Sequence, residues 1–311
     1  MRSLLPTALS SESENKEARR FGRIDLLLLS MVLIWGVNFP VVKGALAEMQ
    51  PLAFNALRFI SATILLYLLV RLTGQTVSVH RPDLLGIALL GLLGNGIYQL
   101  LFISGIAFTT ATNSSLILAM VPITVAIMGA ALRLERIPWW AWVGIALSFT
   151  GLCLLILGNG VEDGQAQNHL VGDLLVFAAM MCWSAYTILS KPYVRRYSTL
   201  SVTVLSMASG AGLIFLASLP SLFSQNWAAV SQSGWLGLIF SSVFAIALGY
   251  LAWFTGVRAV GSARTAIYSN FTPVVTLVSS ALLLGESLRP SQLIGAFVIL
   301  IGIVLTHYHR G

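Results

Sequence analysis

Charge is what this sequence lacks. Its 311 residues carry 18 Lys or Arg and 11 Asp or Glu, a charged fraction of 9%. Soluble domains run at roughly 25%. With 57% hydrophobic residues and a mean hydropathy of +0.86, a soluble globule of this size has too little interior to hide its apolar surface. A globular enzyme is excluded, and an integral membrane protein is implied. Cysteine is equally scarce. Cys153 and Cys182 lie inside apolar runs without metal-ligand spacing, so they read as small packing residues and imply no disulfide compartment. The four histidines, His80, His169, His307 and His309, fall in loops or near chain ends. No carboxylate pair, His/Cys cluster or Ser-His arrangement stands at catalytic spacing, which argues against an enzyme and calls for neither metal nor cofactor. The net charge of +7 could suggest nucleic acid, but no basic run with interleaved aromatics stands outside the apolar segments.

Long apolar runs are what is there. A spanning helix needs about 20 mostly apolar residues, and ten candidates are placed at 25–44, 52–71, 84–107, 111–131, 138–157, 172–190, 199–219, 234–256, 264–284 and 290–308. None alternates as a membrane strand would, so the expected fold is an all-α integral membrane protein of ten transmembrane helices. The run from Ile24 to Val42 follows Arg19-Arg20 but has no Ala-x-Ala cleavage pattern, so it reads as a retained first span. With the N-terminal tail 1–24 inside, cytoplasmic segments receive 15 of the 18 basic residues, the far side only Lys43 and Arg289, and the bilayer Arg58. That asymmetry puts both termini in the cytoplasm, in the inner membrane.

The linker 158–171 divides the chain into units 25–157 and 172–308, and the two resemble each other. Asp25, Trp35 and Lys43 match Asp173, Trp183 and Lys191 at a constant offset of 148. Gly105, Pro122, Glu135, Gly144 and Gly151 match Gly256, Pro273, Glu286, Gly295 and Gly302 at an offset of 151. Five spans per half is an odd number, so the second repeat is expected to insert upside down, the architecture of secondary transporters. The segment from Pro122 to Glu135, its partner from Pro273 to Glu286, Ile34-Trp35-Gly36, and Arg58-Phe59 together resemble the EamA-type carriers of the drug/metabolite transporter superfamily. The resemblance spans about 25–308 and implies two EamA-like units exporting small metabolites across the cytoplasmic membrane. Arg133-Leu134-Glu135 departs from the Leu-Gly-Glu of the second copy, and the Arg-Phe pattern is absent from the second half.

Polar and aromatic residues at helical spacing mark a candidate substrate cavity. Asn95, Tyr98, Gln99 and Phe102 fall on one face of the third run, Trp35 and Asn38 pair in the first, and Trp183 and Tyr186 in the sixth. Tyr250 and Trp253 stand in the eighth, and the ninth lines up Thr265, Ser269, Thr272 and Thr276. Neutral hydrogen-bonding groups beside rings suit zwitterionic or aromatic small molecules, and the same residue types also serve as interhelical glue. Pro122 and Pro273 are candidate hinges, each removing a backbone donor in mid-span. Arg58, Glu135 and Glu286 are read as structural, the glutamates as loop anchors and Arg58 as snorkelling or capping, the alternative for Arg58 being to attract an anionic group such as a substrate carboxylate. Gly144, Gly151, Gly295 and Gly302 suit close helix approach, within one chain or in a homodimer.

The leading function is an exporter of amino acids or their derivatives by alternating access. Drugs, nucleosides and vitamins are other cargoes, and a non-transporting sensor or scaffold is the reading from another class. Asp, Glu and His are confined to tails, loops and end turns, whereas a proton relay normally needs one of them within the bilayer. Facilitated diffusion or weakly coupled exchange is therefore expected. Transport into proteoliposomes should proceed at a similar rate with and without a pH gradient, and strict dependence on the gradient would refute this.

Overall fold

The computed structural model describes residues 22–74, 77–132, 139–157, 166–286 and 290–307. The tail 1–21, linker residues 158–165 and Glu135 lie outside them. The chain forms helices α1 (Arg23–Ala45), α2 (Pro51–Leu72), α3 (Arg81–Phe108), α4 (Ala111–Ala131), α5 (Trp139–Leu157), α6 (Asn168–Arg196), α7 (Thr199–Ser224), α8 (Gln232–Val260), α9 (Ser262–Tyr268), α10 (Thr272–Leu284) and α11 (Pro290–His307). Local chemistry sets where they begin and end. Pro51 and Pro82 open α2 and α3, where a missing N–H costs nothing. The Thr110, Ser198 and Ser231 hydroxyls cap α4, α7 and α8 by accepting from the backbone N–H of Asn113, Ser201 and Gly234. Gly261, at φ 89°, ends α8 in a conformation that other residues resist.

The expected ten spans in two five-helix repeats are corrected here. Among the described residues seven helices, α1 to α4 and α6 to α8, are long and apolar enough to cross a membrane. The other apolar stretches, Trp142–Leu154, Ser269–Leu284 and Pro290–Gly302, fall in the range of 10–17 residues. Counting apolar runs overlooks interruptions of the helix, and the ninth run shows one: α9 gives way to a 3₁₀ turn at Ser269–Phe271 before α10 starts. Five spans per half no longer follow, and the inverted orientation of the second half loses its basis.

Two spans contain π-helical turns, Leu92–Ile97 in α3 and Ser241–Leu248 in α8. Around them the bundle is closely packed. α5 lies against α11, where a side-chain carbon on Gly302 would come 2.2 Å from the Ser148 hydroxyl and 2.4 Å from the Gly144 carbonyl. α1 crosses α10 at Gly36, with Val275 in the space a Cβ would take. Pro40, inside α1, has no N–H to give the carbonyl four residues back. That carbonyl, Gly36 O, accepts instead from the Thr276 hydroxyl at 3.0 Å and the Ser279 hydroxyl at 3.4 Å.

Polar ties gather at the helix ends. Gln50 N donates to Gln225 Oε1 at 2.7 Å, docking the α1–α2 turn on the α7–α8 turn. The Glu48 carboxylate accepts from Ser231 N and Oγ at 2.6 and 2.8 Å, which holds its carboxyl below the usual carboxylate range. Lys43 donates to the carbonyls of Ile106 and Ala107, both at 2.9 Å, closing the C-terminus of α3. Glu286 accepts from Ala111 N and Thr112 N at 3.0 and 3.3 Å, closing the N-terminus of α4. A cation at the first terminus and an anion at the second both complement the helix dipoles.

The α5–α11 contact leaves no room for a methyl group, and overpacking of this kind costs about 1–3 kcal/mol. Gly302→Ala should lower the thermal unfolding midpoint of the protein in detergent by several degrees, while Gly212→Ala, at a glycine with open space around it, should not.

Candidate substrate cavity

The residues that α1, α2, α3, α4, α6, α8 and the α9–α10 junction present to one another line a partly open cavity with about 70 Å³ of free volume. Its wall is aromatic. Trp35 lies 6.0 Å from Trp183 and 5.5 Å from Trp253 between ring centroids, and Trp183 lies 5.1 Å from Tyr250 and 5.0 Å from Tyr98. The Trp35 indole donates to the Ala245 carbonyl in the α8 π turn at 2.8 Å. It reaches that carbonyl across Gly249, where a Cβ would sit 2.4 Å from its Nε1.

One charge enters this wall. Arg58 is 1% exposed and lines the cavity. Its guanidinium donates to Asn55 Oδ1 at 3.0 Å, Ser241 Oγ at 3.1 Å and Gln99 Oε1 at 2.5 Å. The rings of Phe54, Phe59 and Phe102 stand 5.4, 5.8 and 5.9 Å from its Cζ, close enough for cation–π attraction. Gln99 spends its amide nitrogen on the Tyr250 hydroxyl at 2.9 Å, so one side chain joins the cation to the aromatic wall. Three more lining groups are buried without a hydrogen-bond partner among the described residues: Asn38 Oδ1, Thr272 Oγ1 and Trp253 Nε1. An unsatisfied buried polar atom costs about 1–3 kcal/mol. These three, of nine such atoms among the described residues, lie where a polar ligand would meet them.

The sequence profile of the EamA-like transporter family matches residues 22–157 and again 170–308. The chain belongs to this family, within the drug/metabolite transporter superfamily. It is 27% identical to the uncharacterized transporter YyaM of Bacillus subtilis, over 90% of this chain and 92% of that one. It is 29% identical to a protein of Salmonella typhimurium named "Probable amino-acid metabolite efflux pump", over 90% and 93%. A solved crystal structure has a similar fold, with a TM-score of 0.67 at 18% identity, covering 90% of this chain and 96% of that one. As a member of a transporter family, the chain is not an enzyme. It is a multi-pass protein of the inner membrane that moves a small molecule.

In this EamA protein Trp35, Asn38, Tyr98, Gln99, Phe102, Trp183, Tyr250, Trp253 and Ser269, all singled out from sequence, line the cavity. Asn95 and Tyr186 do not. They bond to each other at 3.2 Å, and the Tyr186 hydroxyl is 2.7 Å from Ser206 Oγ. The one-face reading of α3 assumed 3.6 residues per turn throughout. The π turn at Leu92–Ile97 adds a residue to that turn and carries Asn95 out of phase with Tyr98. Of the residues read as structural, Arg58 lines the cavity, whereas Glu286 sits at the end of α10 on the α4 N-terminus. Pro122 and Pro273 each stand in the first turn of a helical segment, following the break at Ala119–Met120 and the 3₁₀ turn. Thr265 and Thr276 bond to backbone carbonyls, of Gly261 at 2.8 Å and Gly36 at 3.0 Å.

Phe39 and Ser115 also line the cavity and were missed. Phe39 follows Asn38 directly and was reachable from its helix face. Ser115 sits among the polar residues that open α4, with nothing in the pattern to distinguish it.

Gln99 accepts from a buried cation and donates to a buried phenol, so truncating its polarity strands both. Gln99→Leu should cost about 2–3 kcal/mol, read as a fall in the unfolding midpoint in detergent. Phe39→Leu, which removes no hydrogen bond, should cost less.

Proposed function

We propose that this cavity is the transport site and that the protein exports small metabolites, amino acids or their derivatives foremost, across the cytoplasmic membrane by alternating access. One observation carries the reading: Trp35 and Trp183, equivalent positions of the two sequence repeats, meet in the wall of a single polar and aromatic cavity. A binding site built jointly from two repeats is how secondary transporters are commonly arranged. The printed name of the Salmonella relative supports the cargo class. In this reading units 25–157 and 172–308 move relative to each other about the site, with Pro122 and Pro273 as hinges beside it and both termini in the cytoplasm. The exchange is uncoupled or weakly coupled to protons, because among the described residues Arg58 is the only charged group lining the cavity.

Export of the responsive metabolite from cells overexpressing the protein should fall about tenfold or more for Trp183→Ala and several-fold for Asn38→Ala, on the scale of one to two lost contacts. Unchanged export in both variants would remove the cavity from the mechanism. Saturable counterflow in vesicles would separate a carrier from a channel.

A further inference from the structure

Arg58 is buried as a cation beside the cavity, and the hydrogen bonds that hold it come only from neutral groups. Buried charges ordinarily carry an opposite charge with them. The acids of the described residues are engaged elsewhere. Asp25 takes the Tyr268 hydroxyl, and Asp173 takes Thr109 Oγ1 at 2.6 Å. Asp83 pairs with Arg196 at 2.9 Å, while Glu48 and Glu286 cap helices. Asn55, Gln99 and Ser241 each accept one bond, so two of the five N–H groups of the guanidinium remain to be given. The Trp253 indole N–H, fully buried, is a further donor in the same cavity without a partner. On the opposite account the cavity offers no carboxylate: Asn38 Oδ1 and Thr272 Oγ1 are neutral acceptors.

We propose that Arg58 is the anion-binding residue of this cavity, and that the molecules it accepts carry one carboxylate on an apolar or aromatic body. The inference rests on the cavity being the transport site, and it narrows the cargo. The carboxylate supplies the missing countercharge and takes the free N–H groups in a planar, two-point fit that a guanidinium favours. The body packs on Trp35, Trp183 and Tyr250. A protonated amine finds only neutral acceptors and the Arg58 charge opposing it, so it is not a requirement for binding. Amino acids bind through their carboxylate, the corresponding acids without the amine bind at least as well, and simple amines are rejected. A single cation also disfavours a dianion, so a phosphate monoester binds more weakly than a carboxylate of the same size.

The test is binding to the full-length protein in nanodiscs, read by calorimetry, for five probes sharing a phenyl body: 3-phenylpropionate, its amide, phenylalanine, phenethylamine and phenyl phosphate. In the unaltered protein the acid should bind at least about tenfold tighter than the amide and no more weakly than phenylalanine, and phenethylamine should show no binding. Arg58→Gln should bring the acid-to-amide ratio close to one, and Arg58→Lys should retain part of it. Gln99→Glu keeps the arginine but gives it an internal carboxylate, and should bring the acid-to-amide ratio down to one or below. An acid-to-amide ratio near one in the unaltered protein, a ratio unchanged by Gln99→Glu, or tighter binding of phenethylamine or phenyl phosphate than of the acid would overturn the proposal. So would a failure of the acid to bind at all. Trp183→Ala separates the two levels. If it leaves every affinity unchanged, the cavity is not the site and the transport reading fails with it. If it weakens the amide as well as the acid while the ratio stays near one, the cavity stands and only the role of Arg58 is lost.

Discussion

The cavity depends on one interaction, the hold that Gln99 keeps on Arg58. A guanidinium inside an apolar bundle must be solvated by the protein itself, because neither lipid nor packed side chains will do it. Here α2, α3 and α8 each give one neutral acceptor, through Asn55, Gln99 and Ser241. The cation thereby fixes the spacing of three helices from different parts of the chain. Gln99 extends the hold to Tyr250, and Tyr250 packs on Trp183. Charge, hydrogen bonds and rings form one connected structure, so the aromatic wall is placed by the same contacts that keep the charge buried.

Polar groups elsewhere obey the same accounting by a different route. Near the helix ends carboxylates and amines satisfy backbone termini: Lys43 on the last carbonyls of α3, Glu286 on the first amides of α4, Glu48 on the start of α8. These contacts absorb most of the scarce charged residues and leave the middle of the bundle, Arg58 apart, to neutral donors and acceptors. Membership of the EamA-like family accounts for the two matching units. The pairing of Trp35 with Trp183 in one wall gives the repetition a physical use, because each unit supplies half of a surface that neither could build alone.

Much of the site was legible in the sequence, and the failures have physical causes. Trp35 and Trp183 stood out because two bulky rings recur at a fixed offset in otherwise featureless apolar runs. Tyr98, Gln99 and Phe102 stood out because a regular helix brings i, i+1 and i+4 toward one side. Asn95 was misplaced because a π turn is invisible to a period of 3.6. The span count was too high because hydropathy sums across a 3₁₀ turn such as Ser269–Phe271 as though the helix continued. For Arg58 both a structural and an anion-attracting reading stood open, because depth in a span says nothing about which way a long side chain reaches. The family resemblance was carried by the segments Pro122 to Glu135 and Pro273 to Glu286, Ile34-Trp35-Gly36 and Arg58-Phe59, and the profile match over both units agrees with it.

The bond between Thr276 and the Gly36 carbonyl has a consequence for how this sequence can change. Proline at position 40 creates the free carbonyl, and a hydroxyl on a neighbouring helix consumes it. The two act together: restoring an N–H at position 40 makes the Thr276 hydroxyl redundant, and removing that hydroxyl leaves the carbonyl only the longer bond from Ser279. Positions 236 residues apart are thus bound to vary as a pair. The hydrogen bonding of α1 beside Trp35 and Asn38 is thus completed by a helix of the other half.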